Sequence, residues 1–185
     1  MDRVDALLGE YRRQLALPWR PDLAGAERVW MAVYPPELER RVRARLGDFE
    51  LATREAGHAW VQHDVTTSFS RWLASQEYAS SYYADPDLLT PALPQFLSTL
   101  QGEVVSAVEV ADAGPTSVVA LVGVGSLFPM IRVSDLLQKV ADHIPGRLLV
   151  LFPGSFERGN YRLLDARDGW NYLAIPITIP EGAAR

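Results

Sequence analysis

Two uninterrupted apolar runs, Val118-Val119-Ala120-Leu121-Val122 and Leu148-Leu149-Val150-Leu151-Phe152, stand on either side of one helix-length amphipathic segment over 132–144. A run with no polar member has no face to turn to water, so each run must be a strand covered on both sides, as strands of parallel sheets are. Parallel neighbours need a crossover, which the intervening segment supplies. The spacing therefore predicts a strand, glycine turn, helix, strand unit. Such a unit puts the loops 123–129 and 153–154 at the carboxyl ends of neighbouring strands, the edge where open α/β sheets hold their sites.

The remainder of the chain is read around this unit. Val4, Leu7, Leu8, Tyr11 and Leu15 recur at helical spacing and predict an amphipathic first helix that ends before Pro18. A loop over 19–25 leads to a strand at 29–34. Pro35-Pro36-Glu37 then opens a helix that runs to Gly57, since proline fits a first turn and a carboxylate there meets the positive end of the dipole. Residues 58–64 read as a strand with Ala59, Val61 and His63 on one face and Trp60, Gln62 and Asp64 on the other. Asp64, Thr66 and Thr67 offer caps for a helix over 68–77, and the polar-aromatic stretch 78–83 reads as a break. Apolar positions from Leu88 to Val108 predict helix that Pro91 and Pro94 bend or split. Two short strands, 160–164 and 172–177, flank a turn at 165–169, a connection that permits only an antiparallel hairpin. The expected architecture is a single three-layer α/β domain over 1–185, with a mostly parallel central sheet flanked by helices and an antiparallel C-terminal hairpin at one edge.

Composition narrows the function. A net charge of -5 disfavours a dedicated nucleic-acid binder, because phosphate recognition is built on Lys and Arg. Cysteine is absent, which excludes disulfides, thiolate nucleophiles and cysteine-ligated zinc. The amino terminus starts acidic with no long apolar segment behind it, unlike a signal peptide, and no stretch approaches the length of a membrane span. A cytoplasmic protein is expected. Arg40, Arg41, Arg43, Arg45 and Arg54 form its most basic surface. Two readings of it stand, a solvated face balanced by Glu37, Glu39, Asp48 and Glu50, or a docking face for an acidic partner.

Candidate chemistry sits at the glycine turn. Gly123-Val124-Gly125 after a strand suggests a phosphate cradle, yet the dinucleotide fingerprint wants glycine where Phe128 stands, and a Walker loop wants Gly-Lys-Ser/Thr where the chain has Phe128-Pro129-Met130. Ser126 lacks the flanking glycines of a nucleophile elbow, since Val124 and Phe128 occupy those places, and it reads as a capping or turn residue. His63 and Asp64 are adjacent in a strand and point to opposite faces, so they are badly placed to act together, and His58 reads as a strand-end histidine. Arg132 enters the next helix where a cation is disfavoured, which calls for Asp135, loop carbonyls or a partner acid to compensate it. No catalytic set, cofactor site or metal site is expected from these residues.

The ordered combination of Gly123-Val124-Gly125-Ser126-Leu127-Phe128-Pro129-Met130-Ile131-Arg132, Leu149-Val150-Leu151-Phe152-Pro153-Gly154-Ser155-Phe156, Tyr161-Arg162-Leu163-Leu164 and Asn171-Tyr172 resembles the carboxyl-terminal half of the BrxB family, small components of BREX bacteriophage-exclusion systems. Val33-Tyr34-Pro35-Pro36-Glu37 and the basic helix extend the similarity more loosely toward the amino terminus. The chain departs from the family after Tyr172, where Leu173-Ala174-Ile175-Pro176 replace a second aromatic and an arginine. The resemblance implies membership of a multi-protein antiviral defence system that also contains a PglZ-type alkaline-phosphatase-like protein, a large ATPase and a DNA methyltransferase.

Two functions follow as expectations. The first is a non-catalytic adaptor that docks other BREX proteins, the PglZ-type protein first and the ATPase or methyltransferase as further candidates, without membrane or direct DNA contact. Its partner-binding or loop-shaping residues are Gly123, Gly125, Phe128, Pro129, Arg132, Pro153, Gly154 and Phe156, with Trp170 as another exposed aromatic. The second is a nucleotide-binding or hydrolytic subunit of the same system that uses the 123–132 glycine loop.

Overall fold

In the computed structural model, which describes residues 2–164, 166 and 170–183, the two apolar runs lie side by side. Strand β3 (Ser117–Val122) pairs in parallel with β4 (Arg147–Glu157), from Val118 opposite Arg147 to Leu121 opposite Val150. On the other side of β4 lies β1 (Val29–Tyr34), and outside β3 lies β2 (Ala59–Asp64), both also parallel to their neighbours. The order across the sheet is β2-β3-β4-β1-β7, with β7 (Ile175–Thr178) parallel to β1. At the far end of β4 the pairing turns antiparallel through β5 (Asn160–Leu163) and β6 (Trp170–Asn171), so the sheet is mixed.

Strand alternation divides the core in two. Trp30, Ala32, Tyr34, Val118, Ala120, Val122, Leu149 and Leu151 pack with α1 (Arg3–Leu15), α2 (Glu39–Ala44) and α3 (Leu46–Glu55). Val29, Met31, Val33, Val119, Leu121, Leu148, Val150 and Phe152 pack against α4 (Ser68–Ala74), α6 (Leu93–Val110) and α7 (Val133–Val140). Every residue of β1 and β3 is buried, which explains their lack of polar alternation. A hydroxyl pair buried under α1 is satisfied: Tyr11 Oη and Thr53 Oγ1 are 2.6 Å apart, and the threonine hydroxyl donates to Phe49 O at 2.7 Å. Among the described residues no helix is long and apolar enough to cross a membrane.

Several expectations need correction. The helix expected from Pro35 to Gly57 breaks at Arg45, whose backbone (φ -112°, ψ 17°) leaves the helical region between α2 and α3. Helix α4 stops at Ala74, where Ser75 Oγ and Gln76 Nε2 both donate to Trp72 O and cap its end. The expected break at 78–83 is itself a helix, α5 (Ala79–Ala84). The prolines of the 85–109 region separate a 3-10 stretch, Pro86–Ala92, from α6, and Pro94 sits in the first turn, where its missing amide has no partner to lose. Helix α7 ends at Val140 and a 3-10 turn, Ala141–His143, completes the crossover.

The largest correction concerns the C-terminal hairpin. Residues 160–163 do not pair with 172–177; β5 pairs with the overhanging end of β4, Gly154 opposite Leu163, and then with β6, Asn160 opposite Asn171. Strand β7 instead crosses to the outer side of β1, where Ile177 is buried beside α1 and Pro176, with no amide to donate, suits an edge strand. The expected turn at 165–169 lies, residue 166 excepted, outside the described residues.

Candidate functional site

At the carboxyl ends of the strands the chain leaving β1 turns toward the face of α2, and the chains leaving β2 and β3 turn toward the face of α4 and α7. A crevice opens where such turns diverge. It holds about 430 Å³ and is lined by Pro36, Glu39 and Arg43 from one side and by Thr66, Gly123, Gly125, Ser126, Pro153 and Leu164 from the other.

The glycine turn is shaped by packing. Gly123 has φ +82°, a left-handed conformation that side chains with a β-carbon resist. The space beside it is also taken, since a β-carbon there would stand 2.2 Å from Thr66 Oγ1 and 2.8 Å from Asp64 Oδ1. Gly125 faces Pro153, whose Cγ would lie 3.2 Å from an added β-carbon, so the two expected loops do meet. The second of them is not a loop. Pro153 and Gly154 lie inside β4, where the strand exchanges β1 for β5 as its partner; Pro153 accepts a hydrogen bond from the Leu164 amide at 2.8 Å, and Gly154 lets Arg162 O approach to 2.0 Å from its β-carbon position.

A polar network joins the crevice walls. Tyr34 Oη donates to Glu39 Oε2 at 2.6 Å, Arg43 Nη1 donates to Thr66 Oγ1 at 3.0 Å, and Arg43 is ion-paired with both Glu39 and Asp64. Burial pushes the Asp64 carboxyl up, but the bonds from Thr66 and Arg43 outweigh it and hold its pKa below the ordinary aspartate value. Burial and the adjacent Glu39 charge push the Tyr34 phenol well above its usual range. Ser126 Oγ donates to Gly123 O at 2.7 Å and approaches Val65 O at 3.3 Å, a turn-fastening role.

The remaining site residues differ in exposure. Phe128, joined to Pro129 by a cis peptide, is 39% exposed, and Pro129 and Arg132 are exposed beside it. Arg132 is the N-cap residue of α7 with an extended backbone, and among the described residues its guanidinium makes no ion pair. Phe156 is half-buried against Tyr161, ring centroids 4.6 Å apart, and Trp170 is half-buried within the same aromatic cluster. These two aromatics are packing elements, in contrast to Phe128.

The basic helix surface is neutralised at several points. Arg41 pairs with Asp2, Arg45 with Asp5 and Asp48, and Arg54 with Glu50, whereas Glu37 turns to Arg3. The histidines are separated from one another. His58 stacks on Trp19 at 3.8 Å, and His63 Nε2 lies 4.0 Å from Glu103 on the opposite face from Asp64. Burial lowers the His63 pKa. Among the described residues no group of three or more His, Cys, Asp or Glu is placed to hold a metal ion. Sequence reasoning missed Glu39, Arg43 and Thr66 as crevice residues and Tyr34 as the support behind Glu39; the i, i+4 pair of Glu39 and Arg43 directly after a strand was the available signal.

The fold and this edge define a small α/β protein with a crevice across a mixed sheet. A family model described as BREX protein BrxB matches residues 79–177, more than half of the chain. The chain belongs to the BrxB family. The match runs from α5 to β7 and includes the glycine turn, Arg132 and the Pro153-Gly154 segment; Tyr34, Pro36 and Glu37 lie outside it. No curated protein and no solved structure matches the chain.

Proposed function

We propose that this BREX component is a non-catalytic adaptor that docks a partner through the sheet edge formed by 123–132. One observation carries the reading: the polar groups of the glycine turn are bonded inward, Ser126 to Gly123 O and Val65 O, while Phe128, Pro129 and Arg132 face solvent. A loop of fixed shape that presents an aromatic ring and an arginine suits protein recognition, where a few such residues supply most of the affinity. The PglZ-type alkaline-phosphatase-like protein is the first partner in this reading, and the ATPase and methyltransferase are further candidates. Residues 1–185 act as one cytoplasmic domain without direct DNA contact.

The alternative, a nucleotide site at the same turn, is disfavoured by Asp64. Its carboxylate packs directly against Gly123, where a phosphate would need positive charge. The test is co-purification of Phe128→Ala and Arg132→Ala variants with the PglZ-type protein, each with an unchanged melting temperature. Loss of the partner supports docking here. Retention by both variants, or a clear stabilisation by ATP and magnesium, overturns the reading.

A further inference from the structure

The opposite end of the sheet, where the strands begin, holds a half-open cavity of about 200 Å³ with Leu17, Leu23 and Ile175 among its walls. Arg147 lines it and is 5% exposed, yet among the described residues its guanidinium bonds only backbone carbonyls, Gly146 O at 3.3 Å and Arg20 O at 3.1 Å. Its guanidinium carbon lies 4.8 Å over the Trp19 ring. A second cation, Arg28, likewise bonds carbonyls, Leu23 O and Ile144 O, and among the described residues neither arginine is in an ion pair. Burial, and after it the Arg28 charge, lowers the Arg147 pKa. Buried charges are ordinarily paired, because desolvation of a lone ion is costly.

Two tryptophans stand in the wall beside Arg147. Trp19 Nε1 and Trp30 Nε1 are buried without a hydrogen-bond partner, and both tryptophans line this cavity. The nearest carboxylate on the loop, Asp22, is exposed and already engaged by Arg20 at 3.0 Å. Gln14 offers the one neutral side-chain amide among the lining residues. The cavity thus holds a buried cation, is poor in acceptors and is largely apolar in its walls.

We infer that this cavity is a binding site for a carboxylate carrying an apolar group about the size of one aliphatic side chain, with Arg147 as counter-ion and the indole rings of Trp19 and Trp30 in its wall. Apolar walls favour such a ligand over phosphate, whose charge has no apolar body to bury. The carboxylate can come from a free branched-chain acid or from the C-terminal residue of a peptide, and the test separates them.

The measurement is a titration of the intact protein followed through its indole N–H resonances, with N-acetyl-leucine, N-acetyl-leucinamide, 4-methylpentanoate and inorganic phosphate as probes. Shifts of the Trp19 and Trp30 signals with either carboxylate, and with neither leucinamide nor phosphate, are expected. The free acid alone then identifies a small-molecule site, and the acylated residue alone a peptide terminus. Arg147→Gln should weaken binding by roughly 10- to 100-fold, and Trp19→Phe, which keeps an aromatic face but trims the wall, should weaken it less while leaving the preference for acid over amide intact. Equal binding of acid and amide would reduce the cavity to an apolar filler. Absence of shifts with every probe would overturn the site.

Discussion

Thr66 Oγ1 occupies the place that a β-carbon on Gly123 would need, 2.2 Å from it, so the end of β2 and the turn after β3 are fitted to each other atom by atom. Gly123→Ala should therefore combine left-handed strain with overpacking and destabilise by about 2–4 kcal/mol. Gly57 is the control, with φ +84° and nothing within 4 Å of an added β-carbon. Gly57→Ala should cost only about 1 kcal/mol. Urea unfolding of both variants checks the difference, and equal losses would mean that the fit to Thr66 is slack.

The two phenylalanines of the edge should part company in the same assay. Phe156→Ala removes a ring packed at a tilt against Tyr161 within a half-buried cluster and should destabilise by about 1–3 kcal/mol. Phe128, 39% exposed, should change stability by no more than about 0.5 kcal/mol on replacement by alanine. Equal destabilisation would show Phe128 to be a packing residue and withdraw it from the docking surface.

The contrast shows what was legible in the sequence. The strands 29–34, 117–122 and the first part of β4 were readable because burial on both faces leaves unbroken apolar runs, and β2 because its two faces differ. The destination of β7 was not readable, since a hairpin with 160–164 and a parallel return beside β1 satisfy the same local pattern; only the free side of β1 and the overhang of β4 decide it. Of the crevice, the glycine turn and Pro153 stood out as backbone-shaping residues. Glu39, Arg43 and Thr66 did not: the i, i+4 spacing of Glu39 and Arg43 marks a local pair, but its meeting with Thr66 depends on strand order, which no local spacing encodes.

Asp64 makes its own prediction. Its folded pKa is depressed, so its contribution is fully present above the ordinary aspartate value and disappears as pH falls through the lower folded value. The group is partly exposed, and Asp64→Asn should cost less than about 1 kcal/mol at neutral pH. The deficit should vanish in acid. A deficit unchanged by pH would assign the loss to altered packing against Gly123.

His63 carries the last prediction. Burial lowers its pKa, Arg71 adds to that, and Glu103 and Asp64 act in the opposite sense, with burial the largest cause. A histidine held neutral in the fold binds a proton more readily once unfolded. Its stabilising share is therefore complete above the ordinary histidine value and is lost as pH falls from there through the folded value. In His63→Gln this slope should be absent. Wild-type stability should consequently fall more steeply than the variant's on mild acidification, by no more than about 1.4 kcal/mol per pH unit for one proton. Chemical denaturation across that window measures both slopes. Parallel curves would mean that Glu103, 4.0 Å from Nε2, compensates the buried ring fully.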